Sequence, residues 1–168
     1  MENLFVTIVC IALILLATVS YATSSLDSAD LISNSFKTMA ERARQAGRTD
    51  ITATGALTNA DGSVVAVTLR NDGNTALRNY KKWDVIVRYQ NGATLWIPYS
   101  ASALVLPGWS DNGTYLNGRP DIFEPGILNP AETLKINVRL SPKVTENTTN
   151  LAVISTDSGV NTQIAFGW

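Results

Sequence analysis

The chain has 168 residues, 13 Lys and Arg against 14 Asp and Glu, and a formal net charge of -1. Charged residues are only 16% of it, which argues against a nucleic-acid partner held by phosphate neutralisation. It contains no histidine and a single cysteine, Cys10, so histidine triads, His/Cys zinc sites and an internal disulfide are excluded.

Residues 4–22 read LFVTIVCIALILLATVSYA, uncharged, with Thr7, Thr18, Ser20 and the Tyr21 hydroxyl as the polar members. As a helix rising about 1.5 Å per residue the segment is about 28 Å long, which matches a hydrocarbon core of about 30 Å. A secretory signal needs a basic stretch ahead of its apolar run, and here only Met1, Glu2 and Asn3 precede it. The first basic residue is Lys37, so no cationic flank fixes the orientation of a span.

Neither Gly nor Pro occurs before Gly47, and the helix is therefore expected to continue past the apolar run. Ala29, Ile32, Phe36, Met39 and Ala43 recur every three or four residues as an apolar stripe, while Asp27, Asp30, Lys37, Glu41, Arg42 and Arg44 supply the polar face. Gly47 is the expected stop, with Arg42, Arg44 and Arg48 near the negative end of the helix dipole. One helix of about 45 residues, about 68 Å long, follows from that reading. Its first half belongs in lipid or against other chains. The stripe finds cover either on the chain's own C-terminal domain or on a partner.

Beyond Gly47, short runs rich in β-branched and aromatic residues alternate with Gly, Asn, Asp and Pro clusters, the pattern of strands and turns. Strands are expected at residues 50–57, 63–71, 82–89, 94–99, 133–140, 150–156 and 162–166. Asp61-Gly62, Asp72-Gly73, Asn91-Gly92 and Ser158-Gly159 are expected to turn through positive backbone angles. Val65, Val67 and Leu69, and Leu134, Ile136, Val138 and Leu140, alternate as strands with one buried face do. The fold class expected is α+β: a hydrophobic helix over residues 1–47, then an antiparallel, immunoglobulin-like β-sandwich over residues 48–168. Residues 104–130, with Trp109, four prolines and two Asn-Gly pairs, are expected to form a long surface loop that contacts a neighbouring subunit.

No Walker or dinucleotide loop, HExxH or GxSxG motif is present, so neither a cofactor nor a small-molecule substrate is expected. Asn71, Asp72 and Asn74 lack the spacing and glutamate of a calcium loop and read as a turn. Asp121 and Glu124, in a proline-rich stretch, are not read as a catalytic pair. Asn112-Gly113-Thr114 and Asn147-Thr148-Thr149 are N-glycosylation sequons in turn-rich segments.

An apolar N-terminal helix, its unbroken amphipathic continuation and a following β-domain together resemble the type IV pilin superfamily, and within it the archaellum (archaeal flagellum) proteins. Local resemblance lies in the strand, turn and strand of residues 64–77, in the turn Leu128-Asn129-Pro130-Ala131-Glu132 leading into residues 133–138, and in the strand pair of residues 154–164. Ala131 stands where the family usually has Gly, and Phe5 where bacterial pilins place a glutamate. The family's basic leader is not visible, so the sequence is expected to begin at the processed residue or to be an uncleaved relative.

The resemblance implies an extracellular filament of many identical copies, held in the membrane before assembly. Its helix-bundle contacts would be Leu4, Phe5, Val9, Ile11, Leu15, Leu16, Val19, Ile32, Phe36 and Met39. Two other functions fit the same architecture. One is a membrane-anchored stator-like accessory protein whose β-domain binds the cell envelope. The other is a tethered carbohydrate-binding sandwich using exposed Trp83, Trp96 and Trp109, for which core packing is the competing use of those rings.

Overall fold

A computed structural model describes residues 2–102 and 105–168, with helix side chains described from residue 6 onward. The side chains of Leu4 and Phe5, and Leu104 at the head of the expected loop, lie outside the described residues.

Helix α1 runs without interruption over Glu2–Arg48. Inside it the hydroxyls of Thr18, Thr23, Ser28, Ser35 and Thr38 donate to carbonyls three or four residues earlier, at 2.8–3.0 Å. This self-pairing lets a helix carry hydroxyls where no water is at hand. Gly47 is not the stop: it lies inside the last turn. The helix ends at Thr49, whose amide donates to the Ala46 carbonyl (3.2 Å) and whose hydroxyl donates to that of Gln45 (2.8 Å). Together these bonds satisfy carbonyls that a helix end otherwise orphans.

Two compact units divide the chain, Met1–Ala43 and Arg44–Trp168. In the second, strands follow in the order β1 (Ile51–Thr58), β2 (Val64–Asn71), β3 (Asp84–Arg88), β4 (Thr94–Ile97), β5 (Gly108–Leu116), β6 (Arg119–Pro120), β7 (Thr133–Arg139), β8 (Thr149–Ser155) and β9 (Asn161–Gly167), with a 3-10 turn at Tyr80–Lys82 before β3. They form two antiparallel sheets, ordered β1-β2-β7-β5-β6 and β4-β3-β8-β9. The fold is therefore the expected helix followed by a β-sandwich, and all seven expected strands are present.

Alternation places one face of each sheet inside. Val65, Val67 and Leu69 of β2 and Leu134, Ile136 and Val138 of β7 are buried, as are Val85 and Val87 of β3 and Ala152 and Ile154 of β8. Each buried valine, leucine or isoleucine stabilises the sandwich by about 1.5–3 kcal/mol. Along one side the sheets meet through β1 and β9, where the Ala53 amide donates to the Thr162 hydroxyl (3.0 Å) and the Thr58 hydroxyl to the Gly167 carbonyl (2.7 Å). Elsewhere a bridge from Tyr99 to Trp109 ties the end of β4 to β5.

The expected surface loop is corrected by β5. Residues 108–116 are a strand between β7 and β6, and Trp109 is fully buried. Its alternation fails at Asn112-Gly113, where the register against β7 shifts between Asp111 and Thr114. A bulge of this kind puts turn-like residues within a paired strand.

The turns divide too. Gly62, Gly92 and Gly159 have φ of 74°, 87° and 82°, as their Asp-Gly, Asn-Gly and Ser-Gly pairs imply. Gly73 is not among the residues with positive φ. It is needed for proximity, because a Cβ there would collide with the backbone of Arg48 and Asp50.

Candidate assembly surfaces

The described members of the expected bundle set, Val9, Ile11, Leu15, Leu16, Val19, Ile32, Phe36 and Met39, are all exposed on α1. So are Val6, Ile8, Leu13 and Ile14, which lie between them and make the first half apolar on every side. By length and composition the helix can cross a membrane. Further along, Leu26 and Leu31 are exposed beside Ile32, Phe36 (67% exposed) and Met39. Sequence reasoning began the stripe at Ala29 and so left out Leu26, three residues before it, as well as Leu31, which falls off the three-and-four spacing. The signal that finds them is the count of large apolar side chains in a segment that also carries Asp27, Asp30 and Lys37.

Two of the three tryptophans considered for carbohydrate stacking belong to the core. Trp83 and Trp109 are buried, and each meets a tyrosine edge to face: Tyr80 on Trp83 at 5.1 Å, Tyr99 on Trp109 at 5.0 Å. Such geometry suits ring quadrupoles and adds to the area buried. The Tyr99 hydroxyl donates to Asp111 Oδ1 at 2.7 Å; that bond, with burial and the carboxylate's charge, pushes its pKa up to about 12. Burial raises Tyr80 further still and also raises Tyr89. Trp96 alone of the three is exposed, its indole N–H donating to Asp84 Oδ1 at 3.0 Å.

Carboxylates in the β-domain hold turns. Asp121 accepts from the amides of Phe123 (2.9 Å) and Glu124, and Glu124 accepts from the Asn129 side chain (3.2 Å). Asp72 pairs with Arg70 at 3.1 Å. Asp61 accepts from the hydroxyl and amide of Ser63, and these bonds hold its pKa below the usual carboxylate value. The turn held by Asp121 presents Ile122 and Phe123 to solvent, 78% and 89% exposed, beside a shallow cleft that Leu116 and Pro120 also line. Part of the expected loop thus does present apolar side chains outward.

Both sequon asparagines are exposed. Asn112 lies at the bulge of β5, and Asn147 in the turn before β8 with φ of 59°.

No protein-family model matches the sequence, and comparison with curated proteins finds no match. Solved structures do match. The archaeal flagellum of Methanospirillum hungatei is similar over 98% of this chain and 92% of its own, at 13% identity and a TM-score of 0.58. The archaellum periplasmic stator protein FlaG from Sulfolobus acidocaldarius is 22% identical and similar over 70% of this chain and 99% of its own, with a TM-score of 0.55. Archaeal flagellin FlaB1 from Methanocaldococcus jannaschii is 11% identical and similar over 70% of this chain and 88% of its own, with a TM-score of 0.54. The chain therefore has an archaellin-like fold, with a β-sandwich of the type found in a stator protein and in filament proteins of the archaellum.

Proposed function

We propose that this chain is a structural, non-enzymatic subunit of an extracellular archaellum-type filament, with α1 as the element that polymerises. The observation that carries the reading is the exposed apolar surface beyond residue 22. A membrane accounts for the all-round apolar residues 6–19, since lipid and a helix bundle are similar solvents for them. It does not account for Leu26, Leu31, Ile32, Phe36 and Met39, because residues 4–22 already fill the hydrocarbon thickness. A bundle of copies covers both halves of α1, each buried side chain adding about 1.5–3 kcal/mol per subunit. The similarity to an archaeal flagellum over nearly the whole chain supports the same reading. In the assembled shell Ile122 and Phe123 are the lateral contact of the β-domain.

Phe36→Glu tests it. A charge in a helix-bundle core is costly unless paired, so the variant is expected to leave the sandwich folded and to make no filaments. Normal filaments built from this variant would overturn the reading.

The similarity to FlaG favours one alternative, a membrane-anchored stator-like protein whose β-domain binds the cell envelope. In that case residues 6–19 stay in lipid and the copy number per cell is low. Of the three tryptophans considered for a carbohydrate-binding role, burial removes Trp83 and Trp109 and leaves Trp96.

A further inference from the structure

The sequons at Asn112 and Asn147 are alike as strings and unlike in the fold. An oligosaccharide transferase must engage the asparagine amide together with the hydroxyl two residues on, so both groups have to be reachable at once.

At the first sequon they are not. Thr114 pairs with Leu134 of β7 and is 2% exposed. Its Oγ1 is buried without a hydrogen-bond partner. Presenting Asn112 and Thr114 together means pulling β5 out from between β7 and β6, which exposes the Trp109 core.

The second sequon is already presented. Asn147 is exposed in a left-handed turn conformation, anchored by its own amide, which donates to the Trp168 carbonyl at 2.7 Å. Thr149 is exposed and occupies the outermost pair of β8 and β9, opposite Gly167. Among the described residues, neither the Asn147 side-chain amide nor the Thr149 hydroxyl is held in a hydrogen bond, so both are free to be engaged. Moving them disturbs one terminal pair of a hairpin rather than the centre of a sheet.

We propose that Asn147 is the N-glycan acceptor of the folded, exported domain and that Asn112 is silent. The donor is a lipid-phosphate-linked oligosaccharide. Its C1–O bond to the carrier phosphate breaks, a bond forms from C1 to Asn147 Nδ2, the carrier leaves with the bonding electron pair, and one amide proton passes to base. This rests on the β-domain lying outside the membrane, as the filament and stator readings both require.

The test is glycopeptide mass spectrometry on full-length chain recovered from the cells that make it, alongside proteolysis of intact cells. Wild type, Asn112→Gln and Thr149→Ser are expected to carry sugar on the Asn147 peptide and none on residue 112. Thr149→Ala, which removes an unbonded surface hydroxyl, is expected to lose it completely. Sugar on Asn112, or its retention in Thr149→Ala, overturns the assignment. So does an unmodified Asn147 on a domain that external protease cleaves, and there the export reading survives. A domain that external protease cannot reach overturns the export reading, and the acceptor assignment falls with it.

Discussion

Ala131 sits with φ of 69°, a left-handed conformation that costs a non-glycine residue about 1–2 kcal/mol. It is kept there by its neighbours. Its amide donates to the Asn71 carbonyl at 2.8 Å, the Asn71 amide to the Glu132 carbonyl at 3.0 Å, and the Asn129 amide to Glu132 Oε2 at 2.7 Å. The buried Asn71 side chain completes the set by donating to the carbonyls of Thr75 and Leu128. Ala131→Gly relieves the Cβ clash but adds freedom to the unfolded chain. The balance is a gain of a few tenths to about 1 kcal/mol, read by denaturant titration of the detergent-solubilised chain. At the same scale, Tyr99 sets an alkaline limit. Below its ordinary pKa of 10.0 the phenol is protonated in both folded and unfolded states. From there to about 12 only the folded state keeps its proton, so stability falls as pH rises through that window. Tyr80 and Tyr89 act in the same direction. Tyr99→Phe is expected to flatten part of that slope, as followed by thermal melts between pH 8 and 12.

Among elements, the junction between α1 and β1 depends on a glycine. The Asn74 amide donates to the Arg48 carbonyl (2.9 Å), and the amides of Asp72 and Gly73 donate to that of Asp50 (3.0 and 3.1 Å). The turn after β2 therefore lies directly on the chain leaving the helix. Gly73→Ala puts a Cβ into that backbone, and neither side can yield cheaply. A loss of about 1–3 kcal/mol is expected, with protease cleavage appearing first near residues 48–50.

Sequence showed this turn but not its reason, since Asp-Gly pairs imply conformation and the close approach is made by a segment more than twenty residues earlier. The same limit hid β5. Trp109 and Thr114 are two buried residues of a strand, but Asn112 and Gly113 bulge between them, and pairing with β7 is a tertiary fact. Where local pattern and burial coincide, as in β2 and β7, the strands were legible to within a residue. The helix was legible throughout, except that Thr49 rather than Gly47 ends it.

For the whole molecule, the two units answer to different solvents. Arg44–Trp168 has its own buried core. Met1–Ala43 holds exposed apolar side chains from Val6 to Met39, which in the proposed filament are covered first by membrane and then by copies of the same helix. Composition alone excluded histidine-based chemistry and an internal disulfide, while the identity of the covering surface is a property of the assembly. The most direct test is electron cryomicroscopy of filaments sheared from the surface of cells that make this protein. The account predicts this chain as the repeating subunit, with Leu26, Leu31, Ile32, Phe36 and Met39 packed against neighbouring helices and the sandwich outside. Filaments built without it, with the chain confined to the membrane fraction at low copy, would contradict that account.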